Sequence, residues 1–306
     1  MFRPRLTALI QYGFPAQRRF QAVFFQVLIN GLFLTSIFSI VALGFAVVYG
    51  IARIMNWAHG EFYMLGAVGV WLFGRHLGLP FLAAAIISII FVTLIAVAIE
   101  RTLFKPLRGL HLPGFVASYG LSLVLQGSVF IAFNGRPKSF PKVIHGVLTL
   151  GPVNIGWQRV IVIPLAALCL LAAFWFMNRT KYGIAIRAGI QDLQAARLYG
   201  LKMNVLCSIA MALASAMAAF AGVLMSPLFS IEPDMGLFVM WNAWIAVCLG
   251  GRGNLGGCLI VSTILGFMTS FIDTYLGAYF SLIIVAAFFL VGLAIRPRGL
   301  LKGMEA

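Results

Sequence analysis

Acidic side chains are nearly missing from this chain. Its 306 residues include 7 Asp and Glu against 22 Lys and Arg, a formal net charge of +15. Charged residues of both signs make up only 9% of the sequence, where a soluble domain carries about 25%. Paired catalytic carboxylates and relays of buried acids are therefore hard to assemble. Cysteine is scarce as well. Cys169, Cys207, Cys248 and Cys258 lie in or beside apolar stretches, none forms a CxxC pair, and no His stands at ligand spacing. That excludes a disulfide framework and a cysteine-based metal centre, and leaves buried, inert thiols. No metal and no cofactor is expected. A GxxxxGK[ST] phosphate loop is absent, so the chain does not hydrolyse ATP in the P-loop manner. No low-complexity segment and no evident internal repeat appears.

What is abundant is apolar surface, at 62% of residues. No soluble fold of this length hides so much, and the fitting solvent is lipid, where helices or closed barrels are the only spanning structures. Barrel strands alternate apolar and polar residues. Here the runs are continuous, as from Phe81 to Ile99, so helices are expected. In such a chain the basic surplus orients helices rather than binding nucleic acid, and no nucleic-acid partner is expected. The N-terminal twenty residues carry Arg3, Arg5, Arg18 and Arg19 without a signal-peptide pattern. The first apolar run reads as an uncleaved span.

Apolar runs fall at about 22–50, 62–74, 80–100, 112–133, 160–178, 203–226, 236–250, 255–275 and 279–295. The run at 62–74 is too short to cross a hydrocarbon core that needs roughly 20 helical residues. It also follows Arg53, Asn56, His59 and Glu61. The segment 51–76 is therefore expected to be a broken or re-entrant element beside eight spans. With both termini cytoplasmic, 16 of the 22 basic residues fall inside, including those of 101–111 and 179–202. The loop 134–159, with Arg136, Lys138, Lys142 and Arg159, falls outside. The asymmetry follows the positive-inside rule. No soluble domain is recognisable, so residues 1–306 read as one transmembrane domain, with 1–21 as a cytoplasmic N-terminal segment.

Four segments stand out. In the loop 179–202, with Arg187 and Asp192, the string Gln194-Ala195-Ala196 is followed by Gly200. Small side chains let a short helix lie close to a partner, and Gly200 suits a helix stop. Near the first span stands Asn56-Trp-Ala-His-Gly-Glu61. Further on comes Gly250-Gly-Arg-Gly-Asn-Leu-Gly-Gly257, and the chain ends in Arg296-Pro-Arg-Gly-Leu-Leu301. The first resembles the Glu-Ala-Ala-x-x-x-Gly signature of ABC-importer membrane subunits, with Gln194 for Glu. Taken together in this order, over roughly 22–301, the segments resemble the permeases of branched-chain amino acid ABC importers. Gly257 stands near a place where that family commonly has Pro. The resemblance implies an all-α, polytopic ABC-importer permease in a bacterial inner membrane. It also implies a second homologous permease, two cytoplasmic ATPases that dock on the 179–202 loop, and a periplasmic solute-binding protein. The cargo would be amino acids, branched-chain foremost, with urea or short amides as the alternative.

The polar groups at membrane depth are the candidate substrate pathway. A charged group there costs about 2.5–3.5 kcal/mol on insertion scales, so Glu61 must face protein or a cavity. Its plain alternative is an ion pair with Arg53 or His59. Asn56 is expected to cap the half-helix that carries His59 and Glu61. Ser118, Ser122 and Gln126 recur every four residues on one helix face, lining a path or bonding helices together. Asn242 sits in a tight apolar run with the same two readings. Tyr12, Trp71, Trp157 and Trp175 suit the interfacial belt. A membrane-anchored redox or enzyme subunit is the alternative of another class. It would want paired catalytic groups or His pairs within spans, and His76, His111 and His145 fall at helix ends or in loops.

Overall fold

The computed structural model describes residues 16–150, 153–251 and 253–296. Expectations for Arg3, Arg5, Tyr12, Arg252 and 297–306 lie outside those residues. Eleven α-helices are present among the described ones: α1 (Ala16–Ala52), α2 (His59–His76), α3 (Phe81–Ile99), α4 (His111–Ala132), α5 (Trp157–Arg179), α6 (Lys181–Gln191), α7 (Leu193–Leu198), α8 (Met203–Met225), α9 (Met235–Gly250), α10 (Leu255–Tyr275) and α11 (Ala278–Ile295). A π-helical turn (Glu100–Phe104) and a 3-10 turn (Lys105–Leu107) extend α3. Between α4 and α5 lies an antiparallel hairpin of β1 (Val147–Leu150) and β2 (Val153–Gly156).

Seven of these helices are long and apolar enough to cross a membrane. The chain is a multi-pass membrane protein. The eighth expected span, α9, has only 16 residues, about 24 Å at 1.5 Å per residue. Burial ranks the helices. In α1, 89% of the apolar window is inside the bundle, against 17% in α4, so α1 is the hub and α4 the rim. Around the hub pack α8, α9 and α10.

Lipid offers no hydrophobic drive for helix pairing, so close packing must supply it. Glycines provide the contact points. A Cβ on Gly222 of α8 would lie 1.9 Å from the Tyr63 carbonyl oxygen of α2, and one on Gly66 would lie 2.3 Å from that of Ala219. Gly60 and Gly236 meet in the same way where α2 crosses α9. These contacts hold the front of α2 rigidly inside the protein.

The break after the first span falls at 53–58 and is narrower than expected. Arg53 adopts a left-handed φ of 52°, which reverses the chain. After it α2 runs unbroken for 18 residues. Hydropathy truncates this helix because His59, Glu61 and Arg75 count against it, although its first turns are buried in protein rather than lipid.

The continuity of α2 changes the topology. The N-terminal half of α1 lies against the hairpin region, where Arg159 donates to Asn30 Oδ1 at 2.9 Å and Ile29 packs on Ile155. Its C-terminal end lies against α6, with Ile190 over Gly50 and Ile51 near Gly189. The far end of α2 returns to the hairpin face, where Trp71 meets Phe133 with ring centroids 5.0 Å apart. Nine helices thus lead from one face toward the other, so an odd number of passes lies between the start of α1 and the end of α11. The C-terminal end of α11 approaches Leu249 through Gly292, on the face of the 179–202 loop. The N-terminal end of α1 sits on the opposite face. Among the described residues the start of α1 and the end of α11 thus lie on opposite faces, whereas the expected topology has the helices begin and end on the side of 179–202. The extra crossing by α2 is the reason.

Candidate substrate pathway and coupling face

The segment Met55–Glu61 and one face of α4 meet as two polar ladders. Ser118 Oγ accepts from the Trp57 backbone N–H at 2.9 Å and lies 3.0 Å from Met55 O and 2.8 Å from Phe115 O, to one of which it donates. One turn on, Ser122 Oγ donates to Glu61 Oε1 at 2.7 Å, and so does Gln126 Nε2, also at 2.7 Å. The spacing of four on α4 thus matches the spacing of four between Trp57 and Glu61. Two hydrogen bonds to a carboxylate, about 1.5–3 kcal/mol each, are of the size needed to offset its insertion cost. Glu61 makes no ion pair with Arg53 or His59. The described residues hold one salt bridge, between Arg108 and Glu100.

His59 is fully buried and lies 3.2 Å from Val41 O through Nε2. A carbonyl can only accept, so this bond puts the proton on Nε2 and leaves Nδ1 an acceptor without a partner. Asn56 does not cap α2. The N-cap is Ala58, and no side chain bonds there. The turn at Trp57 and Ala58 starts the helix too late for the Asn56 amide, which is 1% exposed with neither polar atom bonded. It faces a small cavity lined also by Ile54, Glu100, Phe104, Arg108 and Met211. Asn242 bonds back along α9 to Phe238 O at 2.8 Å, and no hydrogen bond joins it to the Glu61 group. Beside Trp57 stand Trp241 and Trp244, with ring centroids 5.3 and 6.1 Å away.

A family described as the permease component of branched-chain amino acid transport systems matches residues 27–292. The chain belongs to that family. The permease is 29% identical to the high-affinity branched-chain amino acid transport system permease protein BraD of Pseudomonas aeruginosa, over 92% of this chain and 97% of that one. It is 28% identical to LivH of Escherichia coli, the permease protein of the corresponding system, over 92% and 96%. Among solved structures, PsaBC from Streptococcus pneumoniae in complex with Fab has a similar fold, with a TM-score of 0.50 at 17% identity, covering 89% of this chain and 92% of that one.

On the face opposite the hairpin, the permease presents α6 and α7. Thr180 caps α6 through the Gly183 N–H at 3.0 Å. Asp192 ends α6 and begins α7, accepting from the N–H groups of Gln194 and Ala195 at 2.8 and 2.9 Å. Gly200, at φ +76°, closes α7. The Leu201 N–H bonds Ala196 O and the Gly200 N–H bonds Arg197 O, the paired bonds of a Schellman stop. Gln194 and Arg197 are exposed, and Leu198 and Tyr199 stand 89% and 88% exposed. Ala196 is turned inward at 4%, and Ala195 is half-buried. Arg187 points to the wall of a cleft shared with Gln191, Asn254 and Leu255.

One buried network escapes a reading of the sequence. Glu100 accepts from Ser208 Oγ at 2.6 Å and pairs with Arg108, which also donates to Asn204 Oδ1 at 2.5 Å. It ties the end of α3 to the start of α8 beside α7. Its local signal is thin: an acid at the end of an apolar run, with a base eight residues on.

Proposed function

We propose that this permease is one membrane subunit of an ATP-binding-cassette importer that carries amino acids, branched-chain foremost. A second homologous permease completes the pathway, two cytoplasmic ATPases drive it, and a periplasmic solute-binding protein delivers cargo. Residues 1–306 act as one transmembrane unit of a bacterial inner membrane. The face of α6 and α7 is cytoplasmic and the hairpin face periplasmic, which keeps most of the loop Lys and Arg inside as the positive-inside rule asks. The names of BraD and LivH supply the cargo class.

The observation that carries the reading is α7. A six-residue helix capped at both ends, with Leu198 and Tyr199 held out in water, is costly for a monomer and suits a groove on a partner. Arg187, Asp192, Gln194, Ala195, Ala196 and Gly200 form and seat this coupling element. Asn56, His59, Glu61, Ser118, Ser122, Gln126 and Asn242 belong to the pathway side. To test it, the complete transporter is reconstituted in vesicles and uptake of radiolabelled leucine is followed. Leu198→Asp and Tyr199→Asp should insert normally, since the loop lies outside the bilayer, yet lose ATPase association and uptake. Wild-type uptake in both variants would overturn the coupling role. Competition by urea rather than by isoleucine or valine would overturn the amino-acid cargo.

A further inference from the structure

We infer that Glu61 is an ammonium-binding station in the pathway, holding the α-amino group of the cargo on Oε2; this rests on the amino-acid reading above. Glu61 is 1% exposed, and its two oxygens are treated differently. Ser122 and Gln126 both serve Oε1, which fixes the carboxylate. Oε2 is buried and has no partner. It faces the crossing of α2 and α9, where Gly236 lies so close that a Cβ would stand 3.3 Å from Oε2.

A carboxylate oxygen accepts and an alkylammonium only donates, so an ammonium would give Oε2 the partner it lacks, and its charge would hold Glu61 ionised. Urea and amides carry no such charge.

The approach to this oxygen carries the same sign. The segment between α8 and α9 leaves the hairpin face, where Ile231 pairs with Lys138 and packs on Met64 of α2. It then descends to Gly236. On the way it bears Glu232, half-buried, and Asp234, exposed. Asp234 stands two residues before Gly236, which packs beside Glu61 Oε2. Of the 7 acids in the whole chain, these three thus fall on one route from the hairpin face to the middle of the bundle. An exposed carboxylate leading to a buried one concentrates cations along it.

A surface for the rest of the cargo adjoins. One turn before Glu61, the Trp57 ring packs on Trp241 and Trp244, and Trp241 is 42% exposed. An amino acid with an aliphatic side chain can therefore set its ammonium on Oε2 and its apolar end on indole.

The test compares wild type, Glu61→Gln and Asp234→Asn in the complete reconstituted complex, supplied with saturating loaded binding protein. Gln is isosteric and keeps an oxygen for Ser122 and Gln126. Complex assembly is expected at the wild-type level, with leucine uptake down at least about thirtyfold, the scale of losing a buried hydrogen-bonded charge pair. Asp234 makes no side-chain capping bond. Its variant should therefore fold, losing about two- to threefold of uptake at low ionic strength and regaining it in high salt, as screening of an exposed charge requires. Glu61→Gln with half or more of wild-type uptake would overturn the station. Should Glu61→Gln fail to assemble, Asp234→Asn decides: unchanged uptake at low salt overturns the station, and a salt-sensitive loss supports it. A wild-type complex that moves no amino acid refutes the function itself, whereas wild-type uptake that survives Glu61→Gln refutes the station alone.

Discussion

Replacing Asp192 with Ala should unfasten α7. The helix has six residues, whereas isolated helices shorter than about 12–15 residues are marginal in water. Only Ala196 is buried, so tertiary packing contributes little and the two ends must hold it. At the front, Asp192 satisfies two N–H groups, and losing such a cap costs about 1 kcal/mol. At the back, Gly200 is left-handed, a conformation that costs any residue with a Cβ roughly 1–2 kcal/mol. Asp192→Ala with Gly200→Ala together thus removes about 2 kcal/mol, some thirtyfold in the ratio of ordered to frayed helix. Hydrogen exchange of 193–201 in the reconstituted transporter reads this directly, and leucine uptake should fall in parallel. Asp192→Asn is the control, because Asn caps as well as Asp. Exchange as slow as wild type in the double variant would refute the capping argument. So would an Asp192→Asn variant as damaged as Asp192→Ala, which would assign the effect to charge.

Two other outcomes are expected. Gly222→Val drives carbon into the Tyr63 carbonyl, an overpacking cost of about 1–3 kcal/mol or more, and should lower the thermal midpoint in detergent; Gly120→Ala, with nothing within 4 Å, should leave it unchanged or raise it. For topology, a membrane-impermeant maleimide applied from the periplasmic side should label Cys introduced at Ser139 and at Arg18 and spare one at Gln191. Protection of the Arg18 position would restore an N-terminus on the side of α6.

The spans were legible because lipid imposes one rule, continuous apolar length, on all of them. The limits of that rule show at α2. Its first turn is buried in protein, so His59 and Glu61 are tolerated by partners that a hydropathy count along the chain does not contain. The same holds for the pathway. Periodicity places Ser118, Ser122 and Gln126 on one face and makes Glu61 need a partner. That each is the answer to the other depends on a contact across 61 to 65 residues, which no local pattern encodes. Asn56 misled for a related reason, since a good cap residue caps only if the helix starts beside it. In the coupling loop, Ala196 reads as a small residue for a partner's benefit, whereas it seats the helix on its own permease. Leu198 and Tyr199, unremarkable in sequence, stand almost fully exposed.

The seating of α6 on the end of α1 has a mechanical meaning. Ile190 bears on Gly50, and Ile51 lies beside Gly189, so α6 and the last turn of α1 form one stiff body. The backbone reversal at Arg53 follows within three residues of Gly50, and the polar ladder from Trp57 to Glu61 follows that. If α7 takes up a partner's push, as proposed above, no long relay is needed. The push would reach the backbone reversal at Arg53 through α6 and the last turn of α1, a few residues from the buried carboxylate.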